Sequence, residues 1–279
     1  MKNILLPTDF SSNSWNAIKY AIAFYKNTRC NFYLYHACGS NVLMERDLIY
    51  VPSAEVLEKS LVAEAKERMV SLLKNIKKIS TNPYHNFITF VSYDFLITGL
   101  RQFIEDKKIG RIVMGTKGAS GLKKIVLGSN AGDIITRVKC PELVIPEEAV
   151  YRKIREIVFP TDFNILYNSK ILDNLLEVAY ENDAAIRVLH VGKKKGLLSE
   201  DQLVNKQLLE GFFKENEISF HWHATNLLED AIQCFVENRN IDLIAMVGKN
   251  LNFFQQLFFR PAVETISYHT EIPFLVLHE

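Results

Sequence analysis

Cysteine is scarce. The 279 residues hold four, Cys30, Cys38, Cys140 and Cys234, and no CxxC pair, so neither a disulfide framework nor a zinc ribbon is indicated. No apolar run approaches the roughly 18 residues of a membrane-spanning helix. The opening Met1-Lys2-Asn3-Ile4-Leu5-Leu6 meets Pro7 and Asp9 after three apolar residues, which predicts no signal peptide, no membrane partner and a cytoplasmic location. Excess charge is missing too: 33 Lys plus Arg balance 32 Asp plus Glu, a net +1, and nothing in bulk electrostatics calls for a nucleic-acid partner. Lys193-Lys194-Lys195 is a short basic run suited to a solvated loop. Three signatures of chemistry are also absent. No G-x4-G-K-S/T string occurs, Gly118-Ala119-Ser120-Gly121 falls short of the G-x-S-x-G elbow, and G-x-G-x-x-G follows neither candidate first strand.

What the chain has is itself, twice. Ile4-Leu5-Leu6-Pro7-Thr8-Asp9-Phe10 returns 153 positions later as Ile157-Val158-Phe159-Pro160-Thr161-Asp162-Phe163. Tyr33-Leu34-Tyr35-His36-Ala37 is echoed by Arg187-Val188-Leu189-His190-Val191 at an offset of 154. Ile112-Val113-Met114 answers to Ile244-Ala245-Met246, and Cys140-Pro141-Glu142-Leu143-Val144 to Ile272-Pro273-Phe274-Leu275-Val276, both at 132. A period of about 140 residues is an ordinary domain size. Two copies of one domain are therefore expected, over 1–147 and 152–279, the first with about twenty extra residues before its third strand, assigned to an excursion over 40–53.

Within the first copy, apolar runs predict strands at 3–6, 31–37, 86–92, 111–115 and 142–145. Ala17, Ile18, Ala21, Ile22 and Tyr25 repeat at helical spacing behind Ser11 and Ser12, and further helices fit 54–77, 94–107 and 129–138. Strands alternating with helices pair in parallel through right-handed crossovers. The fold class expected is α/β: two tandem Rossmann-like domains, each a five-stranded parallel sheet with helices on both faces. Such sheets bind ligands at the carboxyl ends of their strands.

The loop behind the fourth strand carries Gly115, Gly118 and Gly128, with Ser129 opening a helix. Glycines let a backbone approach an anion, and a helix N-terminus offers free N–H groups to phosphate. The spacing Gly115-x2-Gly118-x9-Gly128-Ser129 resembles the nucleotide-binding pattern of the universal stress protein family, in its ATP-binding branch. The resemblance extends over both copies through the Pro-Thr-Asp strand end, the His-Ala or His-Val strand end and the closing Cys-Pro-x-Leu-Val strand. It implies an adenine-nucleotide alpha-hydrolase-like fold, a stress-response role and ATP or a related adenine nucleotide, with or without magnesium. Pro7, Thr8 and Asp9 would form the ribose end, with the Asp9 carboxylate accepting from the hydroxyls. Ala37 would meet the adenine, Met114 and Gly115 would border base and sugar, and Gly118, Gly128, Ser129 and Asn130 would hold the phosphates. Asp9 would equally serve as a cap of the first helix. The family also implies pairing through the last strand, hence a pseudo-dimer within the chain and further homo-oligomerisation.

The second copy departs from that pattern: at the 132 offset Val247, Asn250, Arg260 and Pro261 replace Gly115, Gly118, Gly128 and Ser129. Proline has no N–H to give a phosphate, so one nucleotide site per chain is expected, and Asp162 reads as an inherited helix cap. The loop offers phosphate donors but no base, arginine clamp or pair of metal-binding carboxylates. No catalytic residue is assigned, and slow hydrolysis or self-phosphorylation is the most the pattern allows. His221 and His223 share one face of a strand without an evident third ligand, so no metal site is assigned either. The alternative reading is a nucleotide-independent interaction scaffold using 40–57 and the apolar loop 251–259. A transferase of the alpha-hydrolase type is disfavoured because Thr8-Asp9-Phe10-Ser11-Ser12 lacks glycine.

Overall fold

A computed structural model describes residues 1–38, 54–116, 129–191, 198–214, 216–223, 228–248 and 271–278. They form two compact units, one of residues 1–116 with 129–140, the other from Pro141 onward. In the first unit the chain runs β1 (Lys2–Pro7), α1 (Ser12–Phe24), β2 (Cys30–Ala37), α2 (Ala54–Ile79), β3 (His85–Ser92), α3 (Leu96–Lys107), β4 (Arg111–Gly115) and α4 (Ser129–Arg137). The second runs β5 (Glu142–Ile145), β6 (Glu156–Thr161), α5 (Ser169–Asn182), β7 (Ala185–Val191), α6 (Glu200–Phe212), β8 (Ile218–His223), α7 (Leu228–Arg239), β9 (Leu243–Val247) and β10 (Phe274–Leu277).

The first sheet has the order β3-β2-β1-β4, all parallel. Its central strand is apolar on both faces, with Ile4, Leu5 and Leu6 at most 1% exposed, as a strand covered by helices on each side must be. The order reverses between β1 and β4, and there the carboxyl ends diverge and leave a crevice. In the second unit β9-β6-β7-β8 repeats the arrangement. The register repeats as well: Ile4 faces Arg111 and Leu5 faces Ile112, while Ile157 faces Leu243 and Val158 faces Ile244. The offsets of 153 and 132 read from the sequence are therefore offsets in space.

β5 groups with the second unit and pairs antiparallel with β10, Leu143 opposite Leu275, while β10 runs parallel to β9. One feature differs from the sequence reading: the extra length of the first copy is largely helical, since α2 has 26 residues and α6 has 13. The remainder falls on 39–53, outside the described residues.

Gly99 shows how closely α3 packs on the first sheet. A Cβ there would collide with the hydroxyl of Tyr35, whose ring is 1% exposed and held between Phe90 and Phe103 at centroid distances of 5.6 and 5.2 Å. Gly99→Ala gains helix propensity of about 1 kcal/mol, but forcing a wedged ring aside costs about 1–3 kcal/mol. Net destabilisation in urea unfolding is expected, relieved in the Gly99→Ala/Tyr35→Phe double variant. Equal stability of the two variants would refute the contact.

Candidate nucleotide-binding site

The crevice begins with the turn that leaves β1. Thr8 N–H donates to the Tyr35 carbonyl at 2.8 Å, carrying the β1–β2 ladder one residue past the strand. Phe10 then adopts a left-handed backbone, φ 63°, a conformation that a bulky side chain takes only when its surroundings impose it. They do so here. The Thr8 hydroxyl accepts from Phe10 N–H at 3.0 Å, and Asp9 Oδ1 accepts from Ser11 N–H at 3.0 Å. The Phe10 ring lies 4.6 Å from the His36 ring and 4.3 Å beneath the Arg68 guanidinium.

His36 Nδ1 lies 2.7 Å from the Thr8 carbonyl. A carbonyl only accepts, so Nδ1 carries the proton and Nε2 the lone pair. Burial pushes the His36 pKa down, and Arg68 pushes the same way, against the Thr8 carbonyl and Asp9; the ring is neutral at pH 7.

The second copy rebuilds this turn. Phe163 has φ 57° and donates to the Thr161 hydroxyl at 2.9 Å, Asn164 N–H donates to Asp162 Oδ1 at 2.9 Å, and His190 Nδ1 donates to the Thr161 carbonyl at 3.0 Å. The Thr, Asp and His of the repeated signature therefore have a structural duty in both copies. Neither aspartate caps a helix as the sequence suggested. Ser11 caps α1 by accepting from Ser14 N–H, and Asn168 caps α5 by accepting from Ile171 N–H; each aspartate closes a turn ahead of its cap.

Beside the first turn lies a cleft with about 660 Å³ of empty space, open to solvent. β1 and its turn bring Pro7, Thr8 and Asp9 to it, β2 brings Ala37, β4 brings Met114 and Gly115, and α4 brings Asn130. Seven of the ten candidate residues thus meet at one place, from four elements far apart in sequence. Ser129 is exposed as the first residue of α4. Gly118 and Gly128 lie outside the described residues, as do Asn250, Arg260, Pro261, Lys193 to Lys195 and 251–259.

Sequence reasoning missed further walls of the cleft: Ser14, Tyr35, His36, Leu96, Ala131 and Ile134. Their signal was available in part, since Leu96 and Ala131 lie in the first turns of helices that must begin at the carboxyl edge of a parallel sheet. Gly115 has a reason beyond ligand access: a Cβ would sit 3.0 Å from the Asn13 carbonyl oxygen and 3.3 Å from the Asn13 Cβ. The first turn of α1 lies directly against the end of β4.

On the second sheet, His221 Nε2 shares a 2.7 Å hydrogen bond with Ser219 Oγ, and burial together with Arg239 and Arg187 lowers its pKa. Among the described residues no three His, Cys, Asp or Glu side chains converge, and no helix is long and apolar enough to cross a membrane.

A sequence model of the universal stress protein family matches residues 1–146. The chain belongs to that family. Two universal stress proteins of Methanocaldococcus jannaschii are similar to it, one 32% identical over 144 residues, 52% of this chain and 81% of the relative, the other 28% identical over 157 residues, 52% and 94%. Over nearly its whole length the fold matches a solved universal stress protein from Archaeoglobus fulgidus, with TM-score 0.69 and 18% identity, covering 98% of this chain and 97% of the other. A solved Pseudomonas aeruginosa protein matches at TM-score 0.58 and 13% identity, covering 100% and 92%. At these identities the likeness concerns the Rossmann-like α/β architecture, and it spans both halves of this universal stress protein.

Proposed function

We propose that the first repeat, over 1–147, binds ATP or a related adenine nucleotide for a stress-response role, and that the second, over 152–279, is its structural partner. The observation that carries this reading is the cleft at the sheet's switch point, with a carboxylate on one wall and a helix N-terminus on the other. The Asp9 carboxylate has two oxygens, each able to accept more than one hydrogen bond, which suits the paired hydroxyls of a ribose. Leu96, Met114 and Ile134 supply the apolar surface a base needs, beside the backbone at Ala37. The α4 N-terminus, with Ser129 and Asn130, offers phosphate the N–H groups that a helix's first turn cannot pair within the helix, and the positive end of its dipole. Magnesium would ride on the phosphate oxygens.

The reading is one of binding and assigns no turnover. Among the described residues its titratable side chains are Asp9, tied to Ser11; Tyr35, whose pKa burial pushes up; and His36, whose Nδ1 is committed to Thr8. Such an arrangement holds and orients. Calorimetric titration of the purified chain with ATP, ADP and AMP is expected to give saturable heat at one site per chain, and denaturing mass spectrometry of freshly purified protein should release an adenine nucleotide. Absence of heat for all three would overturn the reading.

A further inference from the structure

The repeats carry the same turn but treat the space beside it differently. Six residues after the threonine stands Ser14 in the first copy and Tyr167 in the second. Both hydroxyls reach the threonine hydroxyl: Ser14 Oγ lies 3.0 Å from Thr8 Oγ1, and Tyr167 bonds Thr161 Oγ1. A serine side chain is short, so α1 must press against the strands for this bond to form. A tyrosine hydroxyl stands a whole aromatic ring farther from its Cα, so the chain that carries it must stand off.

The helices record that difference. By the offset of 153, α5 should begin at residue 165, yet it begins at Ser169, about one turn later. Residues 164–168 are not helical in the second copy. Where the first turn of α1 packs on Gly115, the equivalent residue is Val247, 6% exposed, with room for the isopropyl group that glycine's place in the first copy denies. The Tyr167 ring is 3% exposed and stands edge-on to Phe159 at 5.9 Å. Two side chains of α6 also pin the turn: Gln202 Nε2 donates to the Asp162 carbonyl and Asn205 Nδ2 to the Phe163 carbonyl, each at 2.8 Å.

We propose that the residue six places beyond the threonine decides which repeat accepts a nucleotide: Tyr167 fills, from within the chain, the crevice that Ser14 leaves open. Late initiation of α5, Val247 and the ring form one coupled change that converts a ligand cleft into packed interior. This closure is independent of the phosphate loop and involves other residues. It rests on the reading of the first cleft as a nucleotide site, and the test separates the two.

The full chain is titrated with adenosine, which needs no phosphate cradle, as wild type, Ser14→Tyr, Ser14→Ala and Tyr167→Ser, with circular dichroism to verify folding. Ser14→Tyr should weaken binding at least tenfold, and by more than Ser14→Ala, which removes the hydroxyl without adding bulk. Tyr167→Ser should add one adenosine site to whatever count the wild type shows. Should Tyr167→Ser not fold, Tyr167→Val gives the same reading, and Ser14→Tyr tests the other direction. A wild type without heat for adenosine, ATP, ADP and AMP alike defeats the proposed function but leaves the gain of an adenosine site in Tyr167→Ser as evidence for the plug. An unchanged site count in a folded Tyr167 variant, or wild-type affinity in folded Ser14→Tyr, overturns the inference.

Discussion

Asp9→Ala is expected to weaken ATP binding to the first repeat about 100-fold, close to 2.7 kcal/mol, while Asp162→Ala leaves it unchanged. Hydrogen bonds to a charged group contribute about 1.5–3 kcal/mol each, and tenfold in affinity corresponds to about 1.4 kcal/mol. A carboxylate that accepts from two ribose hydroxyls therefore has more than enough to lose. Part of the effect has another origin, because Asp9 Oδ1 also accepts from Ser11 N–H ahead of the α1 cap. Asp9→Asn keeps an oxygen for that bond and removes the charge, so about a tenfold loss is expected, with the melting temperature preserved. Asp162 makes the equivalent bond to Asn164 N–H beside a crevice that Tyr167 occupies, so its loss should register in stability alone. Calorimetry on the three variants decides the matter. Asp9→Ala within twofold of wild type would remove the carboxylate from the site.

The parallel sheets were legible because their signal is redundant. Runs such as Ile4-Leu5-Leu6 and Ile112-Val113-Met114 are apolar without alternation, which only a strand covered on both faces needs, and the repeat supplied each run twice. Strand β4 and helix α4 fall within one residue of the limits expected from the pattern. Pairing through the last strand was implied by the family resemblance alone. The four residues of β5 carry no mark of which neighbour they take or in which direction, since those depend on backbone edges that only assembly brings together.

The site divides in the same way. Pro7, Thr8, Asp9, Ala37, Met114, Gly115 and Asn130 were readable because a switch-point cleft must be built from strand ends and a helix start. Ser14 and Tyr35 were not, because each looks like an ordinary interior residue of its element until neighbouring elements are placed. The hardest residue to see was Tyr167. An ungapped comparison aligns it with Ser14 at the offset of 153, but its meaning comes from the one-turn delay of α5, and an alignment that keeps identities in step conceals a helix that starts late.

The second large effect concerns stability. Glu142 is 0% exposed, opposite Val276 in the β5–β10 pair, and its Oε2 lies 2.6 Å from His278 Nε2. Burial holds the Glu142 pKa well above its ordinary value of 4.5. His278 Nε2 and Glu142 Oε2 share one hydrogen bond, which satisfies a carboxyl oxygen that burial has cut off from water. His278→Ala removes the side chain hydrogen-bonded to this buried carboxyl, and breaking a buried pair from one side costs about 3–5 kcal/mol. The sign of the pH dependence follows from the raised value. The folded variant holds the Glu142 proton more tightly than the unfolded chain, so that contribution is fully present below about pH 4.5 and is lost as pH rises through the folded pKa. His278→Ala should therefore be most destabilised at pH 7.5 and recover a large part of the loss at pH 5, measured as urea unfolding of the second unit. Adding Glu142→Gln removes the titrating group, so the double variant should lose the recovery and gain stability over His278→Ala at pH 7.5. If His278→Ala shows the same deficit at both pH values, the carboxylate is not what His278 protects, and the bond between them is packing geometry without electrostatic consequence.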